Sequence, residues 1–521
     1  MEQIKKRSGL LLLGINTVFF CLMAWLLPIM FEDNDDTTMV WIANGIYSGT
    51  PDCHLVFINA ILGQFLVWLY SFLPNVEWYV IVFSLFHVIS MTIISDYFIK
   101  NLKSKLIKIS VLILMYSLWA WIIVRFQFTT TAAITAFAGV LLLLQKRFVS
   151  GGIMLVLGAL VRFSAAGLVG LVMAPAFVYE YKKEWIRSWI PLIVVLVCVF
   201  LVNKADMLFY QTDGWKEYVA YNSARGKIND NPNCWHVYGD LPEGVDQLDY
   251  SFVAGFFADP QIISTEDLNE IVKKITHPSL KICAYNAIYK VLFRYVWWFV
   301  AFGIIVLLTL IFCDNKKDKM YFALSYCLWV GILCYIGFAG SVKNRVFISS
   351  MLPMIYYAAI ITDKNVMNGR FVKMTPYVVL FALSVVGFII PTIQRSIGLG
   401  QKQQIMNEQF CLLDKAADFQ IVDNSADLSV QFFPPFQLHE IIRPKQFINS
   451  YCMMKSPLNS TFTSHKDLVD GNILLFSRKP CDTSEQIMVI EKNYGIKADT
   501  IHFAETEHYV LLRFVSDKNF E

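Results

Sequence analysis

Apolar runs of about 15 to 25 residues recur along the chain, separated by short polar segments, and a helix needs about 20 such residues to cross a hydrocarbon core of roughly 30 Å. They predict membrane-spanning helices near residues 8–30, 77–99, 107–124, 129–145, 148–161, 163–180, 187–203, 291–313, 320–340, 346–362 and 374–393. The expected fold class is therefore a polytopic α-helical membrane protein. The stretch Leu55–Leu73 is apolar enough to be another span, but it contains Asn59, Gly63 and Gln64 and stops at Pro74. Counting it as a span would move every later loop to the other side.

Charge decides between the two topologies, because loops rich in Lys and Arg stay in the cytoplasm. If Leu55–Leu73 lies along the membrane surface, one side collects Lys5, Lys6, Arg7, Lys100, Lys103, Lys105, Lys108, Lys146, Arg147, Lys182, Lys183, Arg187, Lys316, Lys317, Lys319, Lys364, Arg370 and Lys373. The short loops opposite carry only Arg125, Arg162, Lys343 and Arg345, and residues 31–76 contain neither Lys nor Arg. The surface-lying reading is selected, with a cytoplasmic N-terminus. The same test breaks the apolar stretch 148–181 into two spans turning at Arg162.

This topology leaves two large outer loops, 31–76 with a surface helix over 54–73 and 203–290, and an outer C-terminal region. Residues 1–393 form the transmembrane module, and 394–521 an extracytoplasmic α/β domain with β-rich runs at Ile473–Phe476, Ile487–Ile490 and Tyr509–Phe514. Composition agrees: 56% of the 521 residues are apolar and only 16% charged, with mean hydropathy +0.50, against about 25% charged in ordinary soluble domains. A net charge of +3 gives no footprint for nucleic acid. None of the cysteines forms a C-x-x-C pair, so metal ligation by sulfur is not expected. Cys411, Cys452 and Cys481 are the candidates for an outer disulfide.

Candidate chemistry begins directly after the first span, where Phe31-Glu32-Asp33-Asn34-Asp35-Asp36 places four carboxylates in a segment with no neighbouring base. The plain reading is a solvated acidic cap on the first helix. The functional reading is a carboxylate at the mouth of an outer cavity that takes a proton from a hydroxyl, or a divalent-cation site at Asp33, Asp35 and Asp36. Asp33-Asn34-Asp35 also fits the D-x-D pattern of nucleotide-sugar enzymes, on the side where nucleotide sugars are scarce. Opposing it are the outer cations Arg125, Arg162, Lys343 and Arg345, with Lys290 and Arg294 four residues apart on one predicted helix face. A single arginine at a helix end snorkels to head groups, whereas several opposite an acidic loop read as an anion site, for which guanidinium forks suit phosphate. Trp78, Tyr79, Trp119, Trp121, Trp297 and Trp298 read as an interfacial aromatic belt. Neither H-E-x-x-H nor G-x-S-x-G occurs.

The stretch Asp35-Asp36-Thr37-Thr38-Met39-Val40-Trp41-Ile42-Ala43-Asn44-Gly45, the following surface segment, and Lys343-Asn344-Arg345-Val346-Phe347 with Pro353 together resemble the GT-C membrane glycosyltransferases. That superfamily includes the protein O-mannosyltransferases, the aminoarabinose transferases and the GtrII-like transferases. The second acidic position is Asp36, where the mannosyltransferases usually have Glu. The resemblance implies a sugar donor linked to polyprenyl phosphate and an extracytoplasmic glycan, lipid or protein acceptor. It makes Asp35 the catalytic base with Asp36 beside it, and gives Arg345, Lys343, Arg125, Arg162 and Arg294 the donor phosphate. Two rivals remain open: a polysaccharide polymerase or ligase using a lipid-pyrophosphate donor, and a lipid or sugar transporter, for which ionisable residues midway through the spans would be expected.

Overall fold

A computed structural model describes residues 2–181, 185–212, 214–231, 240–255, 257–275, 280–313, 315–339, 342–367, 375–401, 403–424, 435, 447–448, 453–459 and 461–517. Lys182, Lys183, Arg370, Lys373 and Cys452 lie outside the described residues. The chain opens with α1 (Glu2–Leu26), β1 (Met30–Phe31), α2 (Asn34–Asn44) and α3 (Ala60–Phe72). The bundle continues with α4 (Trp78–Asn101), α5 (Lys105–Val124), β2 (Arg125–Phe126), α6 (Phe128–Leu144), α7 (Phe148–Tyr181) and α8 (Trp185–Phe209). Three short helices, α9 (Trp215–Asn229), α10 (Gln247–Ala254) and α11 (Thr265–Ile275), fold on their own small core. The chain then returns through α12 (Leu280–Tyr285), α13 (Val296–Phe312), α14 (Lys316–Ala339), α15 (Asn344–Met367), α16 (Thr375–Ser384) and α17 (Ile390–Gln401). The module boundary expected at 393 falls inside α17.

Eight of these helices are long and apolar enough to cross a membrane, and the bent pair over 283–312 makes a ninth. Helix α7 spans 34 residues, about 51 Å at 1.5 Å per residue, which is too long for one crossing. Its backbone breaks at Arg162, which is extended at φ −158° and ψ 103°, so the element is two consecutive helices, turning where the charge pattern placed the turn. Helix α6 carries no charged residue and is buried along its whole length, the signature of a central helix. It packs against α7 through glycines: a Cβ on Gly158 would meet the Ala132 carbonyl oxygen and the Ala136 nitrogen at 2.9 Å. Small residues let the two backbones approach this closely. On the α4 side, His87 meets Thr131 at 2.9 Å inside the apolar core.

The surface segment is shorter than expected. Helix α3 has 13 residues, about 20 Å, too little to span. It buries Leu62, Leu66 and Tyr70 while exposing Ile61, Phe65, Trp68 and Phe72. An apolar stripe left outward at helical spacing fits a helix lying in the membrane surface. Residues 52–59 form a tight turn instead of the start of that helix. The aromatic belt is also thinner than expected: Tyr79, Trp119 and Trp121 are buried, with Trp119 stacked on Phe19 at 5.1 Å, while Trp297 stays exposed.

Helix ends gather at two poles. At one pole Asp363 accepts hydrogen bonds from the N–H groups of Lys103 and Ser104, and Lys364 lies 3.4 Å from Asp318, which also accepts from the Tyr179 hydroxyl. Lys100, Lys146, Arg147, Lys316 and Lys317 flank the helix ends at this pole. Arg125, Arg162 and Arg345 occupy the opposite pole.

Beyond α18 (Gln403–Lys415) lies a five-stranded sheet, ordered β4 (Phe447–Ile448), β3 (Gln420–Asp423), β5 (Ile473–Arg478), β7 (Tyr509–Ser516) and β6 (Ala498–Glu505). Its alternation is clean: Leu474, Phe476 and Leu511 join the core shared with the bundle, whereas Leu475, Val510 and Leu512 face the domain's own core. The run Ile487–Ile490, expected as a strand, lies in a helix over Ser484–Tyr494. Burial of Gln486, Val489 and Ile490 at helical spacing and a left-handed Gly495 cap override the β-branched composition. Cys411 and Cys481 are both free thiols.

The α6–α7 contact predicts that Gly158→Val lowers stability by about 1–3 kcal/mol, read as a drop in Tm of the detergent-purified protein by tryptophan fluorescence.

Candidate active site

A two-residue parallel ladder positions the acidic run. Met30 pairs with Arg125 and Phe31 with Phe126, and the Glu32 N–H donates to the Phe126 carbonyl at 3.1 Å. The segment therefore leaves α1 beside the junction of α5 and α6. Asp33 caps α2 in extended conformation but does not use its side chain for the cap, and Asp35 and Asp36 occupy the first turn, where the helix dipole favours negative charge.

The two neighbouring aspartates have separate environments. Asp36 is fully buried and its Oδ1 accepts from the Tyr79 hydroxyl at 2.7 Å and the Phe128 N–H at 2.9 Å. Its other oxygen is buried without a hydrogen-bond partner, and burial holds its pKa well above the ordinary carboxylate value despite those bonds. Asp36 thus ties α2 to α4 and to the start of α6 and does not face the site. The Asp35 side chain remains 25% exposed, 3.9 Å from Nη2 of Arg345. Burial pushes its pKa up to about 6, Arg162 and Arg225 pull it back, and Asp230 pushes it further up.

The cations arrive from distant parts of the chain. Arg345, in the first turn of α15, forms an ion pair with Asp33 through Nη1 and reaches Asp35 through Nη2. Arg125 packs over Trp121 at 4.5 Å, donates to the Pro391 carbonyl at 3.2 Å and lies 3.8 Å from Glu32. Arg395 on α17 meets the same Glu32 oxygen at 2.8 Å. Nη1 of Arg125 and Nε of Arg395 are buried without hydrogen-bond partners. Two guanidinium groups thus share one carboxylate and leave two buried donors unmatched.

Arg162 sits at the break in α7, donating to Ser164 and to the Phe57 carbonyl, with its guanidinium over Phe57 and Phe128 at 5.2 and 5.3 Å. Arg294 belongs to the same pole, because the Tyr295 ring beneath it donates its hydroxyl to Asn344 at 2.9 Å. Arg294 is nevertheless exposed, as are Lys290 and Lys343. Among the described residues none of these three pairs with the acidic run, and a π-helical turn over Asn286–Phe293 alters the spacing expected between Lys290 and Arg294.

The three aspartates do not converge on one point: Asp36 turns inward, whereas Asp33 and Asp35 both lie against Arg345. Glu32 and Arg395 are the partners that the sequence reading left out of the site. Arg395 had a usable signal, since it lies two residues past the last apolar run and breaks the outer charge bias as Arg125 does.

No protein-family model matches the chain, and no curated relative matches it in sequence. Among solved structures, ArnT from Cupriavidus metallidurans in the apo state aligns over 98% of this chain and 98% of its own, with a TM-score of 0.47 and 9% identity. A likeness of that strength carries no weight in assigning a reaction or a substrate.

Removing the Tyr79 hydroxyl leaves a buried carboxylate with one donor. Tyr79→Phe is expected to cost about 1–3 kcal/mol, measured as a shift in thermal unfolding.

Proposed function

We propose that this chain is an integral membrane glycosyltransferase that moves a sugar from a polyprenyl-phosphate donor to a hydroxyl of an extracytoplasmic glycan, lipid or protein. One observation carries the reading: a partly buried carboxylate with a raised pKa, Asp35, shares one end of the bundle with Arg345, Arg125 and Arg395. The lysine-rich pole faces the cytoplasm by the positive-inside rule, so the site and the C-terminal domain face outward.

Asp35 takes the acceptor hydroxyl proton as the acceptor oxygen bonds to the anomeric carbon. The bond from that carbon to the phosphate oxygen breaks, and its electron pair leaves on polyprenyl phosphate. Arg125 and Arg395 hold the growing charge, and Arg345 lies against the base. Stabilisation that increases as charge develops lowers the barrier more than it tightens substrate binding. Attack opposite the leaving group inverts the anomeric centre. Arg162 and Arg294 are secondary members of the phosphate side, and Asp36 acts as a positioning residue through the fold of α2.

Three guanidiniums at one pole are more than a single phosphate monoester needs, which supports a lipid-pyrophosphate donor as the second reading. The deciding experiment incubates the purified protein with polyprenyl-phosphate and polyprenyl-pyrophosphate sugars and measures release of the lipid carrier. Carrier release from the monophosphate donors is expected. Release only from pyrophosphate donors favours the second reading, and donor translocation without product favours a transporter.

Asp35→Asn should lower the transfer rate by about 10²- to 10⁴-fold without changing Tm. Because the base form exists only above its pKa, the wild-type rate should rise with pH up to about 6 and level off beyond it. Arg395→Ala should lower kcat/KM for the lipid donor by roughly 10²-fold, measured by initial rates.

A further inference from the structure

Asp52, Cys53 and His54 lie in the turn between α2 and α3, outside the acidic run. We infer that they form a binding site for a borderline-soft divalent cation of the zinc type. The donor set is one carboxylate oxygen, one thiolate sulfur and one imidazole nitrogen, the three ligand types that zinc takes in proteins. This departs from the expectation that sulfur ligation is absent, because three consecutive residues supply the ligands without any C-x-x-C spacing.

The geometry is already close to a ligated one. Asp52 Oδ1 lies 2.8 Å and Cys53 Sγ 3.8 Å from the same nitrogen, His54 Nδ1, and all three atoms fall within 4.8 Å of one another. Ligands around tetrahedral zinc stand roughly 3.3 to 3.6 Å apart, from metal–ligand bonds of about 2.0 to 2.3 Å. The two distances to His54 Nδ1 therefore need shifts of only tenths of an ångström, with the metal replacing the Asp52–His54 contact. Among the described residues no fourth Asp, Glu, His or Cys atom shares this cluster, which leaves the remaining position to water.

The surroundings hold the ligands in place. The His54 ring stacks on Trp215 at 4.4 Å and meets Tyr210 edge-on at 5.2 Å. The Cys53 carbonyl packs on Gly63, where a Cβ would come within 2.1 Å of it, so the turn fits only against glycine. The Asp52 N–H donates to the Ile42 carbonyl, and Asp52 Oδ1 also accepts the His54 N–H at 2.7 Å. Backbone of α2 and α3, Tyr210 just past α8 and Trp215 of α9 thus restrict all three ligands, and restricted ligands lose little entropy on binding. A cation here would fix the conformation of the turn between α2 and α3.

The test uses the full-length protein in detergent, stripped with chelator and titrated with Zn²⁺ against a chromophoric competitor, with Co²⁺ as a spectroscopic probe of sulfur ligation. One bound equivalent and a thiolate-to-cobalt charge-transfer band are expected. Both should disappear in Cys53→Ser and in His54→Phe, which keeps a ring on Trp215, and both should persist in Glu408→Gln, which disrupts the separate Glu408, Glu507 and His508 cluster. A wild-type protein that binds no more metal than Cys53→Ser overturns the proposal, as does a band that survives Cys53→Ser or vanishes only in Glu408→Gln.

Discussion

A buried carboxylate on α2, bound to the first residue of the central helix, sets the arrangement of the pole that carries the acidic run. Asp36 accepts the Phe128 N–H, one of the donors that a helix start leaves without an internal partner. The Tyr79 hydroxyl adds a second bond from α4. With one oxygen so engaged, α2 has a single register against α4 and α6. That register turns Asp35 the other way, because adjacent residues on a helix point about 100° apart. The catalytic candidate thus owes its exposure to the burial of its neighbour.

The cations reach the same place through the length constraint of the membrane. Each crossing of about 20 residues returns the chain to one pole or the other, so residues at successive turns, such as Arg125, Arg162 and Arg345, meet in space while distant in sequence. The break at Arg162 is essential to this arithmetic. An unbroken α7 would send every later helix end to the opposite pole and separate Arg345 and Arg395 from the acidic run.

Much of this was legible in the sequence because lipid imposes simple rules. Span length, the basic bias of one set of loops and the turn at Arg162 follow from hydrocarbon thickness and charge alone, and they place Asp35 and Arg345 at the same pole without coordinates. What sequence could not show was side-chain direction. The split between Asp35 and Asp36 depends on Tyr79 and Phe128, which lie far along the chain. Tyr79 and Trp119 read as belt residues because composition does not tell a lipid-facing ring from one that meets a buried partner. The helix over Ser484–Tyr494 was hidden by its β-branched residues, which packing overruled. Asp52, Cys53 and His54 carry no spacing signal, since their convergence comes from one tight turn and the ring of Trp215.

The charge balance of the site bears on how it would work. Glu32, Asp33 and Asp35 face Arg125, Arg162, Arg345 and Arg395, so the cluster is close to neutral. An uncompensated group of four guanidiniums would repel itself in a partly buried site, and Glu32 relieves this by holding Arg125 and Arg395 with a single carboxylate. The arginines are then fixed in place before any ligand arrives and need no reorganisation as charge develops, the condition under which electrostatic stabilisation of a transition state is most effective. The same near-neutrality weakens attraction for a weakly charged group and leaves a net response mainly to an anion that gains charge during the reaction. A departing phosphate meets that requirement, whereas a neutral solute in transit does not.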